Sequence, residues 1–191
     1  MELDYKAARQ VAEANRKTII KALPVELVER EGRIFAETTT LDELPFLKLE
    51  RIYSFLDDLL AFVSMYIPCH KGCSSCCHLM VSVSTIEADY IQEKLGFTQH
   101  VVMESKNLFG TPCPFLNSGA CSIYQSRPYV CRRYVALFDN PSWCSLDLCG
   151  LYRFPSIRMI EAEKSFDYLV AASGGGFYCD IRQMFNNPTC S

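Results

Sequence analysis

Four cysteines crowd into nine residues, Cys69, Cys73, Cys76 and Cys77 in the run CHKGCSSCC, and no cysteine precedes them. All 11 cysteines of the 191-residue chain lie between positions 69 and 190, and three, Cys113, Cys121 and Cys131, form a second block. Thiols at this density suggest a shared electrophilic guest, because a deprotonated thiol is the preferred ligand of zinc and of iron–sulfur clusters. Two other readings compete with it: disulfides or redox-active thiols, and thiols buried as small apolar side chains. The odd count fits poorly with a fully paired disulfide framework.

The compartment bears on that choice. MELDYKAARQ has no basic stretch leading into an apolar one, so it does not read as a secretory signal. The longest apolar stretch, Leu59 to Pro68, is too short for a bilayer, which takes roughly 20 residues. Both features lead to the expectation of a cytoplasmic protein without a membrane segment, where thiols stay reduced and clustered cysteines mean metal more often than disulfide. Hydrophobic residues make up 49% of the chain, enough for a packed core. The net charge of −3 leaves no electrostatic footprint for nucleic acid.

Periodicity predicts a mainly α protein. Residues 4–23 read as an amphipathic helix with the stripe Leu3, Ala7, Val11, Ala14 and Thr18, stopped by Pro24, while 24–40 carries no clear signal. A stronger helix is expected from Asp42, as N-cap, to Ile67, with Leu49, Ile52, Tyr53, Leu56, Leu59, Leu60 and Val63 on its apolar face and Pro45 in its first turn. Pro68 ends it, so Cys69 sits where a rigid element stops. LMVSVS alternates and predicts a short strand. Ser84 with Glu87 three residues on predicts a capping box, and Gly96 a C-cap. Another short helix is expected over 98–108, and one opened by Pro128 runs through Val135. Residues 138–155 read as irregular. A last helix is expected from Ser156 to Ala172, stopped by Gly174, Gly175 and Gly176. The fold class is therefore mainly α: a small helical domain with a loop-rich centre organised by a cysteine-ligated metal site, and at most a short strand or hairpin. The chain divides into an N-terminal helical extension, 1–67, and a cysteine-cluster metal-binding domain, 68–191, packed as one unit.

Spacings of two or three residues let a loop turn back so that successive sulfurs face one centre. Adjacent side chains face apart, so Cys76 and Cys77 do not serve one site equally. Gly72 precedes Cys73 where a turn around an ion needs a backbone without Cβ. The metal-ligand candidates are Cys69, Cys73, Cys76, Cys77, Cys113, Cys121 and Cys131. Cys144 and Cys149 are candidate accessory ligands, ahead of Cys179 and Cys190. Arg127, Arg132 and Arg133 flank the second block, with no acid between residues 105 and 138. Guanidinium groups there would offset thiolate charge and donate hydrogen bonds to sulfur, which makes Arg127 and Arg132, with Tyr124, the candidate contacts to a cofactor. Tyr124, Tyr129, Tyr134 and Trp143 also read as core around the metal loop. His70 and His78 flank the cluster as second-layer donors or exposed residues more than as ligands, and His100 reads as a surface residue. One tight cluster followed by scattered cysteines, with Pro114 after Cys113, favours an iron–sulfur centre over zinc, which more often shows two paired knuckles. The spacing Cys69-x3-Cys73-x2-Cys76 also occurs in radical S-adenosylmethionine enzymes. Against that reading stand Ser75 before the last cysteine and the absence of strand–helix alternation downstream.

CHKGCSSCC, the following VSVSTIEADYI, and CPFLNSGACSIYQSRPYVCRRY together resemble the CxxCxxCC cysteine-cluster family of zinc- or iron-chelating domains, over about residues 69–135. The most specific part is the double cysteine combined with Cys121, Ile123, Tyr124, Arg127, Pro128, Cys131 and Arg132. The first gap departs from the pattern, with three residues between Cys69 and Cys73 rather than two. The resemblance implies metal binding through these cysteines, and their spacing makes a four-iron, four-sulfur cluster the favoured occupant over zinc. The family includes flagellin lysine N-methylases, so it also implies S-adenosylmethionine-dependent methylation of a protein lysine as an alternative function, with a protein substrate or partner. An iron or zinc carrier, or a redox module, is a further alternative. The N-terminal helices, outside the resemblance, could bind a partner or form a lid.

Overall fold

A computed structural model describes residues 4–70, 72–102, 104, 106–174 and 178–185. Helices α1 (Tyr5–Ala22), α2 (Val25–Thr40) and α3 (Pro45–Val63) come first, followed by β1 (Ser82–Ser84) and α4 (Thr85–Leu95). A small hairpin, β2 (Leu116–Asn117) and β3 (Ala120–Cys121), precedes α5 (Tyr129–Arg133). Helix α6 (Ile160–Ala172), β4 (Tyr178–Asp180) and α7 (Ile181–Met184) complete it. The fold is mainly α, with only two short two-stranded sheets among the described residues.

Asp4 caps α1 by accepting from Lys6 N and Ala7 N at 2.9 and 3.2 Å. Its inward face carries Ala8, Ala12 and Ile19. The predicted stripe is one position off: Ala7, Ala14 and Thr18 are exposed, and Leu3 lies outside the described residues. The bulky side chains decide which face turns in. Ile19 is buried, and the Tyr5 ring packs against Trp143, Tyr152 and Phe154. The unassigned stretch after Pro24 is helix α2, whose Leu27, Ile34 and Thr38 face the core.

Helix α3 starts later and ends earlier than periodicity suggests. Pro45 takes the first helical position, where its missing N–H costs nothing, so Leu44 rather than Asp42 is the N-cap. The helix stops at Val63, and Tyr66 N closes a tight turn onto Val63 O at 2.9 Å. Ile67 therefore belongs to the turn that delivers Cys69. The predicted face is buried at Leu49, Ile52, Tyr53, Leu56 and Val63, joined by Phe55.

The capping box of Ser84 and Glu87 forms as expected, and Gly96 is the left-handed C-cap of α4. Glu87 does more than cap. Its carboxylate accepts from Ser84 N, Ser84 Oγ, Tyr53 Oη and Tyr129 N at 2.7–2.9 Å, joining α3, α4 and α5 at one buried point. The strand predicted in LMVSVS pairs antiparallel with β4, Val83 opposite Cys179. The helix expected over 98–108 is absent among the described residues there. That segment is held from outside instead, His100 N donating to Met184 O at 2.8 Å and Lys106 N to Gln183 Oε1 at 2.9 Å. Helix α6 begins at Ile160 rather than Ser156, because Glu31 of α2 supplies its cap and accepts from Glu161 N at 2.8 Å. Gly174 follows α6 with φ +106°, while Gly175 and Gly176 lie outside the described residues.

Three apolar clusters result. One gathers α2, α3, α4 and α6 around Ile34, Ile52 and Phe166. A second joins β1, α4 and the C-terminal segment to Phe115 and Ile123. The third seats α1 on Leu137, Phe138 and Trp143. The cysteine loops lie between them. No helix among the described residues is long and apolar enough to cross a membrane.

Candidate metal centre

The C-terminal half of α3 forms one wall of a cavity of about 390 Å³, through Asp57, Leu60, Ala61 and Ser64. Five thiols face it: Cys69, Cys73, Cys76, Cys131 and Cys144. Each arrives on a different support. Cys69 follows the turn that ends α3, and its sulfur accepts from Ala136 N at 3.5 Å. Cys73 follows Gly72, whose φ of +99° makes the bend that a side-chain-bearing residue resists. Cys76 stands on a 3₁₀ turn, Ser75–His78, and Cys131 on α5. Cys144 ends the 3₁₀ turn Pro141–Cys144, which Asn140 caps.

The other predicted ligands sit beyond this wall. Cys77 does not face the cavity, in keeping with the opposed directions of adjacent side chains. Its carbonyl accepts from Cys113 N at 2.8 Å, tying the two cysteine blocks together. Cys113 and Cys121 pack against the second apolar cluster, where the hairpin places Cys121 opposite Leu116. Cys131 belongs to both sides: it lines the cavity and touches that cluster. All ten described cysteines are free thiols, and Cys190 lies outside the described residues. Among the described residues, no three Cys, His, Asp or Glu side chains are drawn together closely enough to hold a metal ion. The sulfurs therefore share a cavity without converging on one point.

Their electrostatics show how closely they are coupled. Burial, and then the negative potential of Cys76, Cys113 and Cys121, holds the Cys131 thiol well above its usual range. Cys76 is raised first by its hydrogen bond with Cys77 and then by burial. Burial lifts Cys113 to about 11, and burial with Cys69, Cys73, Cys76 and Cys149 lifts Cys144 to about 12. Without a cation, the pocket keeps these thiols protonated. A bound metal reverses that balance by taking the thiolate form.

The arginines divide their tasks. Arg132 is almost fully enclosed. It lies 4.0 Å over the Tyr53 ring, donates to Arg127 O and Gln125 O at 2.9 and 2.5 Å, and pairs with Asp57. It acts as a strut between α3 and the 124–132 segment. Arg127 faces the cavity, stacked 3.9 Å over Tyr124, with one nitrogen 3.3 Å from Asp57. Its Nε is buried with no hydrogen-bond partner. An unmet donor costs free energy unless something anionic in the cavity accepts from it. Arg133 points elsewhere, toward Glu163 at 3.3 Å. His70 lies on the cavity rim and His78 is half-buried, each with Nδ1 against a backbone carbonyl, Pro68 O and Ser74 O.

Sequence reasoning did not anticipate Asp57 or Arg182. Asp57 is an acid between the inward positions Leu56 and Leu60 of α3, and that interruption of the stripe is its signal. Arg182 is buried against Asp180 at 2.8 Å and donates to Cys77 O, Leu79 O and Thr111 O at 2.6–3.1 Å. It clamps both cysteine loops from the far end of the chain, and nothing local announces it.

The loops of this small helical fold bring five thiols and one unmet guanidinium donor around a single cavity. Residues 68–153 match the model of the CxxCxxCC family, described as "Putative zinc- or iron-chelating domain". No curated protein and no solved structure matches the chain. The match runs past the second cysteine block to take in Cys144 and Cys149, and it stops short of α6 and of Arg182.

Proposed function

We propose that this protein holds an iron–sulfur cluster in the cavity beside α3, with Cys69, Cys73, Cys76, Cys131 and Cys144 as the ligand pool. The observation that carries the reading is the lining itself. Five soft sulfur donors face one space, and the one carboxylate among the described residues of its wall, Asp57, is already paired with two arginines. Thiolate sets of this kind suit iron–sulfur clusters and zinc, and not hard cations such as calcium or magnesium. The unmet Nε of Arg127 supports an anionic guest, since thiolate-ligated clusters carry net negative charge. Loading draws the loop sulfurs inward onto the centre. The segments that carry them, 69–77 and 141–144, are loops and single 3₁₀ turns that can shift without repacking a helix.

Anaerobic purification followed by iron, zinc and acid-labile sulfide analysis tests this directly. The expected result is iron with matching sulfide and a broad visible absorption band. Cys76→Ser and Cys131→Ser each remove it, while Cys179→Ala, on β4 and outside the cavity, retains it. Colourless protein with stoichiometric zinc would move the assignment to a zinc site. Full metal content in both serine variants would end it.

A further inference from the structure

A second, larger cleft opens on the other side of Leu60 and Tyr134, two residues that also line the thiol cavity. Its volume is about 650 Å³, within the roughly 300–1,000 Å³ typical of small-molecule sites. Its wall takes in Cys149 and other residues between 129 and 153 of the family match, but none of the five thiols of the other cavity. The floor is aliphatic, from Leu56, Leu59, Leu60 and Val63 of α3 together with Val135 and Leu137. Two irregular segments flank it, 134–138 and 153–159, joined by the Phe138 and Phe154 rings at 4.6 Å and by no backbone hydrogen bond.

The mouth is strongly cationic. Arg133, Arg153 and Arg158 line it, and among the described residues the single carboxylate there is Glu163. Glu163 already serves two of the three, Arg133 at 3.3 Å and Arg158 at 2.6 Å. Arg132, also on the wall, is neutralised by Asp57. The cleft therefore presents an excess of two positive charges above an apolar floor. Guanidinium groups in a fixed fork suit a carboxylate or a phosphate.

We infer that this cleft binds a small amphiphilic anion, with its apolar body on α3 and its carboxylate or phosphate among Arg133, Arg153 and Arg158. The site stands independently of the metal assignment, because none of the five thiols lining the other cavity belongs to its wall.

The fold supplies its own reporter. Trp143, the one tryptophan, lies 5.2 Å from the Tyr152 ring and 5.4 Å from the Phe154 ring, and both rings line the cleft. Purified protein is titrated, below micelle formation, with dodecanoate, dodecyl phosphate and dodecyltrimethylammonium, reading Trp143 fluorescence. The expected result is a saturable change with at least one of the two anions, and binding at least tenfold weaker for the cation. Which anion binds tighter separates carboxylate from phosphate recognition. Arg133→Gln with Arg158→Gln, both on exposed side chains, weakens anion binding about tenfold and leaves the far-ultraviolet circular dichroism unchanged. Cation binding as tight as that of both anions, no saturable response to either anion, or an unchanged anion affinity in the double variant would each overturn the site.

Discussion

Removing the carboxylate of Asp57 strands two guanidinium groups at once. Arg132 has a side chain 1% exposed, and among the described residues Asp57 is its only anionic partner. Arg127, 9% exposed, leans on the same carboxylate. Deleting one partner of a buried pair costs about 3–5 kcal/mol, because the remaining charge stays desolvated. Asp57 itself is 37% exposed, so water screens part of that interaction and the figure falls. Arg132 also keeps two carbonyl acceptors and the Tyr53 ring. Asp57→Ala is therefore expected to cost about 2–4 kcal/mol, a fall in melting temperature of roughly 5–15 °C for a chain of this size. Arg132→Met removes the buried charge and leaves Asp57 solvated beside Arg127. In the double variant the two costs overlap, giving a coupling of about 1–2 kcal/mol. Urea denaturation of all four proteins at one pH, under metal-free reducing conditions, measures this. A loss below about 1 kcal/mol for Asp57→Ala, or strictly additive losses, would refute the strut.

Other perturbations follow from the same contacts. Gly72→Ala meets no atom within 4 Å, so its cost is the backbone strain of φ +99°, about 1–2 kcal/mol, and metal retention on dialysis against a chelator should fall without loss of the helical circular dichroism. Glu87→Gln puts an amide N–H₂ among four donors, and chemical denaturation should show a loss of about 2–4 kcal/mol. Burial raises the thiols of Cys131 and Cys144 above their unfolded value, so the unfolded chain releases protons first as pH climbs. Stability of metal-free protein is then intact below about pH 9 and falls above it, by up to about 1.4 kcal/mol per pH unit for each of these thiols. Denaturation series from pH 7 to about 10 should show that slope in metal-free protein and a flatter one after loading, because a metal-bound thiolate has no proton left to lose.

Much of the fold was legible because its signals are local. The Ser84–Glu87 box, the stop at Gly96 and the apolar run of α3 depend on neighbours within a few residues. What escaped depends on distant partners. Glu31 on α2 sets where α6 begins, so Ser156 looked like a start. The 98–108 segment hangs on Met184 and Gln183 rather than on its own turns. Stripe assignment on α1 failed by one position because small residues recur on several faces, and only the packing of Tyr5 and Ile19 chooses among them. At the site, cysteine spacing marked the loops and separated Cys76 from Cys77. It ranked Cys144 as no more than an accessory candidate, though that thiol stands on the same cavity as Cys69, and gave no sign that Cys113 and Cys121 would sit behind the wall. Both facts come from long loops folding over α3, which no spacing rule encodes.

The clamp at Arg182 has a consequence for the order of events in the cell. The ribosome delivers the cysteines of the first loop about a hundred residues before the guanidinium that grips their carbonyls. Until residues 178–185 emerge, β1 lacks its partner strand and that loop lacks the two hydrogen bonds that Arg182 donates to Cys77 O and Leu79 O. A nascent chain therefore meets metal with its thiols loosely arranged, and a centre acquired that early is the more easily lost or misplaced. Stalling translation before and after this segment, then measuring metal captured by each arrested chain, would reveal whether insertion waits for residues 178–185.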